Sequence, residues 1–168
     1  MSVAAAFAAA ALTLTGCNLA GTAPRQIDFG FRLDASGNLV VAYPLCATSE
    51  VDGASIYVEA VGEGEDGNGF TTLWSATTAA TEEAKRGLFT VGVQSSFRNE
   101  LRPLKAPLPD GFYVAVMERV HGKEKNGQDH WVTLARLKNK ILAPDEYLTE
   151  EGKTLTRDEI NAQAYCSK

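Results

Sequence analysis

The stretch Gln26-Ile27-Asp28-Phe29-Gly30-Phe31-Arg32-Leu33-Asp34-Ala35-Ser36-Gly37-Asn38-Leu39-Val40-Val41-Ala42-Tyr43-Pro44-Leu45 decides the fold class. Its first part alternates: Ile27, Phe29, Phe31 and Leu33 point one way, while Gln26, Asp28, Gly30 and Arg32 point the other. A period of two is that of a half-buried β-strand. Asp34 to Asn38 then collects turn formers, with Gly37 free to take positive φ, and the apolar run Leu39 to Leu45 reads as a second strand. Two such strands joined by five polar or small residues form an antiparallel hairpin.

Working outward, the same reasoning marks strands at Ser55 to Val61, Phe70 to Ser75, Leu88 to Gln94, Phe112 to Val120 and Trp131 to Ile141. About seven short strands punctuated by Gly, Pro, Asn and Asp predict a mainly β chain, an antiparallel β-sandwich. Two interruptions read as short helices. One is Thr78 to Arg86, stopped by Gly87; the other is Arg157 to Tyr165, opened by the capping box Thr156-Arg157-Asp158-Glu159. Three prolines between Pro103 and Pro109 make that stretch a crossover loop.

The chain has 168 residues, 45% of them hydrophobic and 22% charged, which suits one well-buried core in a single domain over 25–168. A net charge of −5 argues against a nucleic-acid partner. Gly62-Glu63-Gly64-Glu65-Asp66-Gly67 satisfies the spacing of a dinucleotide loop, but a strand follows it instead of a helix, and its carboxylates would repel a pyrophosphate. Glu63, Glu65, Asp66 and Asn68 are a weak calcium candidate: hard oxygens on a Gly-rich loop, without EF-hand spacing. No G-x-S-x-G, C-x-x-C or H-E-x-x-H is present, so no catalytic residue, cofactor or metal centre is assigned; the chain reads as a non-catalytic binding or structural domain, the alternative being a ligand- or calcium-binding or hydrolytic one.

Asn126-Gly127 is a strong two-residue turn signal between the last two long strands. Placing it at the tip pairs Val116 with Leu137, Phe112 with Ile141 and Val120 with Thr133. The opposite face then carries Arg119, His121, Lys123, Lys125, His130, Arg136, Lys138 and Lys140 together. From Arg119 to Lys140 the balance is +4, a basic island on an acidic protein. It predicts either a solvated edge ribbon or a contact surface for lipid headgroups, wall polymer or an acidic envelope protein.

The first seventeen residues carry no charged side chain and include an apolar run from Val3 to Leu12, too short to span a bilayer. Leu14-Thr15-Gly16-Cys17 follows, and it resembles the bacterial lipobox. The resemblance implies a signal peptide over 1–16, lipid on Cys17 and a short tether over 17–24, hence an exported protein held at a membrane. The basic n-region of a signal peptide is the one feature this stretch lacks. With Cys17 lipidated, Cys46 and Cys166 are left in an oxidising compartment and are expected to form a disulfide. Asp110-Gly111-Phe112-Tyr113-Val114-Ala115 resembles the corner before the sixth strand of immunoglobulin-like domains. That resemblance implies an Ig-like topology with the Tyr113 hydroxyl bonded to backbone upstream, although Ala115 stands where antibody domains have a cysteine.

Overall fold

A computed structural model describes residues 27–60, 62, 67, 69–164 and 166. Among them the strands are β1 (Gly30–Leu33), β2 (Leu39–Ala42), β3 (Ser49–Glu59), β4 (Phe70–Ala79), β5 (Leu88–Thr90), β6 (Phe97–Arg102), β7 (Gly111–Val120), β8 (Lys123–Thr133), β9 (Glu146–Leu148) and β10 (Thr154–Thr156). Three short helices accompany them: α1 (Glu82–Lys85), α2 (Leu134–Asn139) and α3 (Arg157–Asn161). The strands form two antiparallel five-stranded sheets, in the orders β10-β9-β1-β2-β5 and β6-β4-β3-β7-β8.

The opening hairpin forms as its alternation requires. Gly30 pairs with Ala42 and Leu33 with Leu39. The Asp34 carboxylate accepts from the Ser36 and Asn38 amides at 2.8 Å, and Gly37 takes φ 82°. Phe29 and Phe31 face inward beside Val41 and Phe89 of the first sheet. The second sheet meets them with Ile56, Trp74, Phe112, Val114, Val116 and Val132, so the two inner faces share one core. This is the β-sandwich. The outer face of the first sheet has its own small cluster, in which Ile160 of α3 packs with Tyr147 and Ala42. Cys46 and Cys166 are disulfide-bonded, with Cα atoms 5.3 Å apart.

Several expected boundaries move. The strand expected over 131–141 stops at Thr133 and becomes α2, because Leu134 and Leu137 recur at helical spacing and both are buried. Asp110 starts this helix from another part of the chain: its carbonyl accepts from Leu134 N at 2.6 Å and its carboxylate from Ala135 N at 2.7 Å. The helix expected over 78–86 shrinks to α1, because β4 continues to Ala79 by pairing with β6. Thr81 caps what remains, accepting from Ala84 N. The helix expected over 157–165 is cut to α3, which ends at Asn161, and it is opened by the capping box read from Thr156 and Glu159.

The β7–β8 hairpin departs most. Val120 pairs with Lys123, so the tip is His121-Gly122, with φ of 49° and 76°. Positive φ at both central residues is the type I′ geometry that matches strand twist. Asn126-Gly127 lies inside β8, where the register shifts between Val116 and Glu118. A Cβ on Gly127 would stand 1.2 Å from the Val116 carbonyl oxygen, so this glycine serves close backbone approach, not the turn. Beyond the bulge Val116 faces Gln128, Val114 faces His130 and Phe112 faces Val132.

Candidate functional site

That register breaks up the expected basic face. Moving the tip alone shifts the pairing by an even number of positions, but the one-residue bulge between Val116 and Glu118 makes the net shift odd, and parity decides which side of a strand turns inward. His130 goes into the core. It is 2% exposed, its ring centroid lies 4.3 Å from that of Phe29, and its Nδ1 donates to Glu150 Oε2 at 2.9 Å. Its Nε2 is buried with no hydrogen-bond partner. His121 stays at the exposed tip, so the two histidines do not share a face.

The cations separate as well. Arg119 forms an ion pair with Asp52 at 2.7 Å, and Lys123 and Lys125 belong to the tip end of β8, paired along the backbone with Val120 and Glu118. Arg136 and Lys138 ride on α2, with Lys140 just beyond, at the other end of that strand. An eleven-residue strand spans about 33 Å, so these are two groups, not one patch. Arg136 is partly engaged, donating to the Glu150 carbonyl at 3.2 Å. The calcium candidate at Glu63, Glu65, Asp66 and Asn68, and Cys17 with its tether, lie outside the described residues. Among those described, no three His, Cys, Asp or Glu side chains are grouped to hold a metal ion.

What the fold assembles instead is an aromatic row on the outer face of the second sheet. Cross-strand pairing sets Tyr57 of β3 opposite Tyr113 of β7, and Tyr113 opposite Trp131 of β8. Phe70 of β4 stands opposite Glu59, diagonal to Tyr57. The ring centroids follow one another from Phe70 to Tyr57 to Tyr113 to Trp131 at 5.1, 5.2 and 4.8 Å. The tyrosines stack within 14° of parallel, while Phe70 and Trp131 lie across them at 76° and 67°. All four are half-buried.

Local sequence explains the geometry. The benzo edge of Trp131 occupies the space over Gly111, where a Cβ would meet it at 2.3 Å. Beside the row the next cross-strand positions are small or acidic: Ser75, Ser55, Ala115 and Asp129. The Tyr57 hydroxyl donates past Ala115 to the Asp129 carboxylate, and the Tyr113 hydroxyl donates to Glu59 at 3.4 Å. The bond expected from Tyr113 to upstream backbone is thus replaced by one to a side chain. Desolvation, then the bond to Asp129, pushes the Tyr57 phenol above its ordinary pKa; desolvation and Glu59 do the same for Tyr113. Both phenols remain O–H donors, and each carboxylate keeps lone pairs free for another donor.

Sequence reasoning missed this row. Its one local signal is an aromatic residue on the polar phase of an alternating strand, as with Tyr57 between Ile56 and Val58 or Tyr113 between Phe112 and Val114.

A concavity of about 520 Å³ opens beside the disulfide and is lined by Leu45, Leu88, Arg86 and Arg157 among others. Its guanidinium groups are tied to backbone: Arg86 to the Ala47 carbonyl at 3.1 Å, Arg157 to the carbonyls of Tyr43 at 3.2 Å and Arg86 at 2.5 Å. They act as clamps between α3, α1 and the end of β2.

No family model, no curated protein and no solved structure matches the chain.

Proposed function

We propose that the chain is an exported lipoprotein, anchored through lipid on Cys17, whose β-sandwich is a non-catalytic binding module of the cell envelope. Its contact surface is the aromatic row rather than the basic hairpin, whose cations the fold separates.

The observation that carries the reading is where the disulfide lies. Cys46–Cys166 uses both cysteines other than Cys17, and it lies at the end of the sandwich where the chain enters the domain. Gln163, three residues before Cys166, holds that entry: its Oε1 accepts from Asp28 N at 3.0 Å and its Nε2 donates to the Asp28 carbonyl at 3.2 Å. A covalent cross-link at the point of attachment suits a domain tethered outside the reducing cytosol. Extended, residues 18–26 reach about 30 Å, so the domain works close to the bilayer. The His121-Gly122 tip lies at the same end, where His121 N donates to the Thr48 carbonyl.

Mass spectrometry of membrane-extracted protein tests the anchor. The expected result is a mature chain beginning at Cys17 and carrying acyl groups. A chain that begins elsewhere, or an unmodified Cys17, refutes it.

A further inference from the structure

We infer that the cavity beneath the crossover loop 103–109 binds one long-chain fatty acid, with the acyl chain among Val58, Leu73 and Leu104 and the carboxylate at Lys105 and Arg102. This goes beyond the reading above: it does not use the aromatic row and needs no lipid on Cys17.

The cavity exists because one strand pairing stops short. β4 begins at Phe70, but β6 pairs with it only from Ala79, opposite Phe97, to Ser75, opposite Arg102. The next residue is Pro103, which has no N–H to continue the ladder. The chain therefore leaves the sheet and returns over the core through Leu104 and Leu108. Between this loop and the start of β4 lies a cavity of about 540 Å³. A bulge opens its wall. Trp74 faces Ile56 and Thr72 faces Tyr57, so Leu73 is the extra residue, and it lines the space. Pro103, Pro107 and Pro109 line it as well, and their fixed φ angles hold the loop in place before any ligand arrives.

The lining selects the ligand. Val58, Leu73 and Leu104 are half-buried and pack against the core, so the floor is apolar. Lys105 is exposed, which sets its charge at the mouth. Arg102 is the other charged lining residue, and among the described residues no carboxylate lines the cavity. That is a cationic rim on a chain whose net charge is −5. Beside apolar walls a cation attracts an anion more strongly than it does in open water. The combination fits a molecule with one apolar body and one anionic end, and it repels a cationic amphiphile. Volume limits the body to a single chain. At about 30 Å³ per methylene, close to the share of one water in the liquid, twelve to sixteen carbons need about 360–480 Å³. The paired chains of a phospholipid do not fit.

A dansyl-labelled undecanoate is the probe, titrated into the purified full chain and then displaced by octanoate, decanoate and dodecanoate. The expected result is saturable binding of one equivalent, with competitors tightening about fourfold per added methylene as each is taken out of water. Dodecyltrimethylammonium has the same chain and the opposite charge, and it should not displace the probe. Lys105→Glu, and Ala106→Glu beside it, each set a carboxylate at the cavity and should weaken dodecanoate by about tenfold or more. Lys105→Arg should bind as the parent does. Positions 105 and 106 are exposed, so urea midpoints of these variants should match the parent and separate lost binding from lost fold.

The inference is overturned by the absence of saturable binding, by affinities that do not rise with chain length, by equal displacement with dodecyltrimethylammonium, or by dodecanoate binding that both Glu variants leave intact. Lipidation of Cys17 is read separately, so an unlipidated chain that binds dodecanoate sinks only the anchor, and a lipidated chain that ignores it sinks only this inference.

Discussion

Replacing His121 tests the register on which the whole outer face depends. His121 sits at φ 49° and Gly122 at φ 76°, both in the left-handed region. That backbone costs an L-residue roughly 1–2 kcal/mol, least for Asn and most for β-branched side chains. His121 already bears part of that cost, so His121→Val should destabilise the domain by the remainder, about 1 kcal/mol. His121→Asn, which creates the preferred Asn-Gly pair of a type I′ turn, should stabilise it by a few tenths. For a chain of this size, the valine variant corresponds to a fall of about 2–4 °C in Tm. If instead Asn126-Gly127 formed the tip, position 121 would lie within a strand, where valine is favoured and asparagine disfavoured over a range of about 1 kcal/mol. Both signs would then reverse. Equilibrium urea unfolding of the oxidised protein decides between them, provided the slopes match so that midpoints report stability. A valine variant as stable as the parent, or a less stable asparagine variant, would refute the register and with it the aromatic row.

The Cys46–Cys166 link closes a separation of 120 residues, so Cys166→Ser should cost about 2–5 kcal/mol in the same unfolding assay, and an unchanged midpoint would show that the link contributes nothing. Glu150→Ala strands the His130 Nδ1 donor and removes the acceptor of Trp131 N, so it should cost about 1–3 kcal/mol. His130→Leu should cost less, because it also removes the unpartnered Nε2; the reverse order would show that the histidine is better satisfied than the geometry indicates. The Glu159 carboxylate is held below its ordinary pKa by the bonds it accepts from the Thr156 amide and hydroxyl. A depressed acid contributes stability above its unfolded pKa of about 4.3 and loses it as pH falls through the folded value. Amide exchange in α3 should therefore accelerate in acid and lose that step in Glu159→Gln; a Glu159 midpoint at or above the ordinary value would contradict the capping box.

The parts of this fold that were legible in advance are those written in neighbouring residues. Phe29, Phe31, Val41 and Tyr43 read as inward-facing because a strand's two faces alternate, and Thr156 with Glu159 reads as a helix start because both partners lie within one turn. Elements decided by distant partners were not legible. α2 owes its start to Asp110, some twenty-five residues earlier, and nothing near Leu134 announces it. β6 is an edge strand whose Arg98, Asn99, Glu100 and Leu101 are all exposed, so it carries no apolar phase to detect. β9 is three residues long and exists because Tyr147 and Leu148 find β10 and β1.

The candidate site follows the same division more sharply. Every ring of the row lies in or at the start of a segment that reads as a strand, yet no pair of them is closer than thirteen residues in sequence. Their meeting depends on three registers at once: β4 on β3, β3 on β7, and β7 on β8. A strong turn signal misassigns the last of these. Asn-Gly is favoured at a hairpin tip because both residues accept positive φ, but glycine is also what a bulge needs where backbones nearly touch, and at Gly127 the second demand prevails. Shifting that one hairpin by an odd number of positions turns His130 inward and Trp131 outward together. The buried histidine and the half-buried aromatic row on the outer face are therefore two consequences of a single register, and a substitution that slips it should lose both.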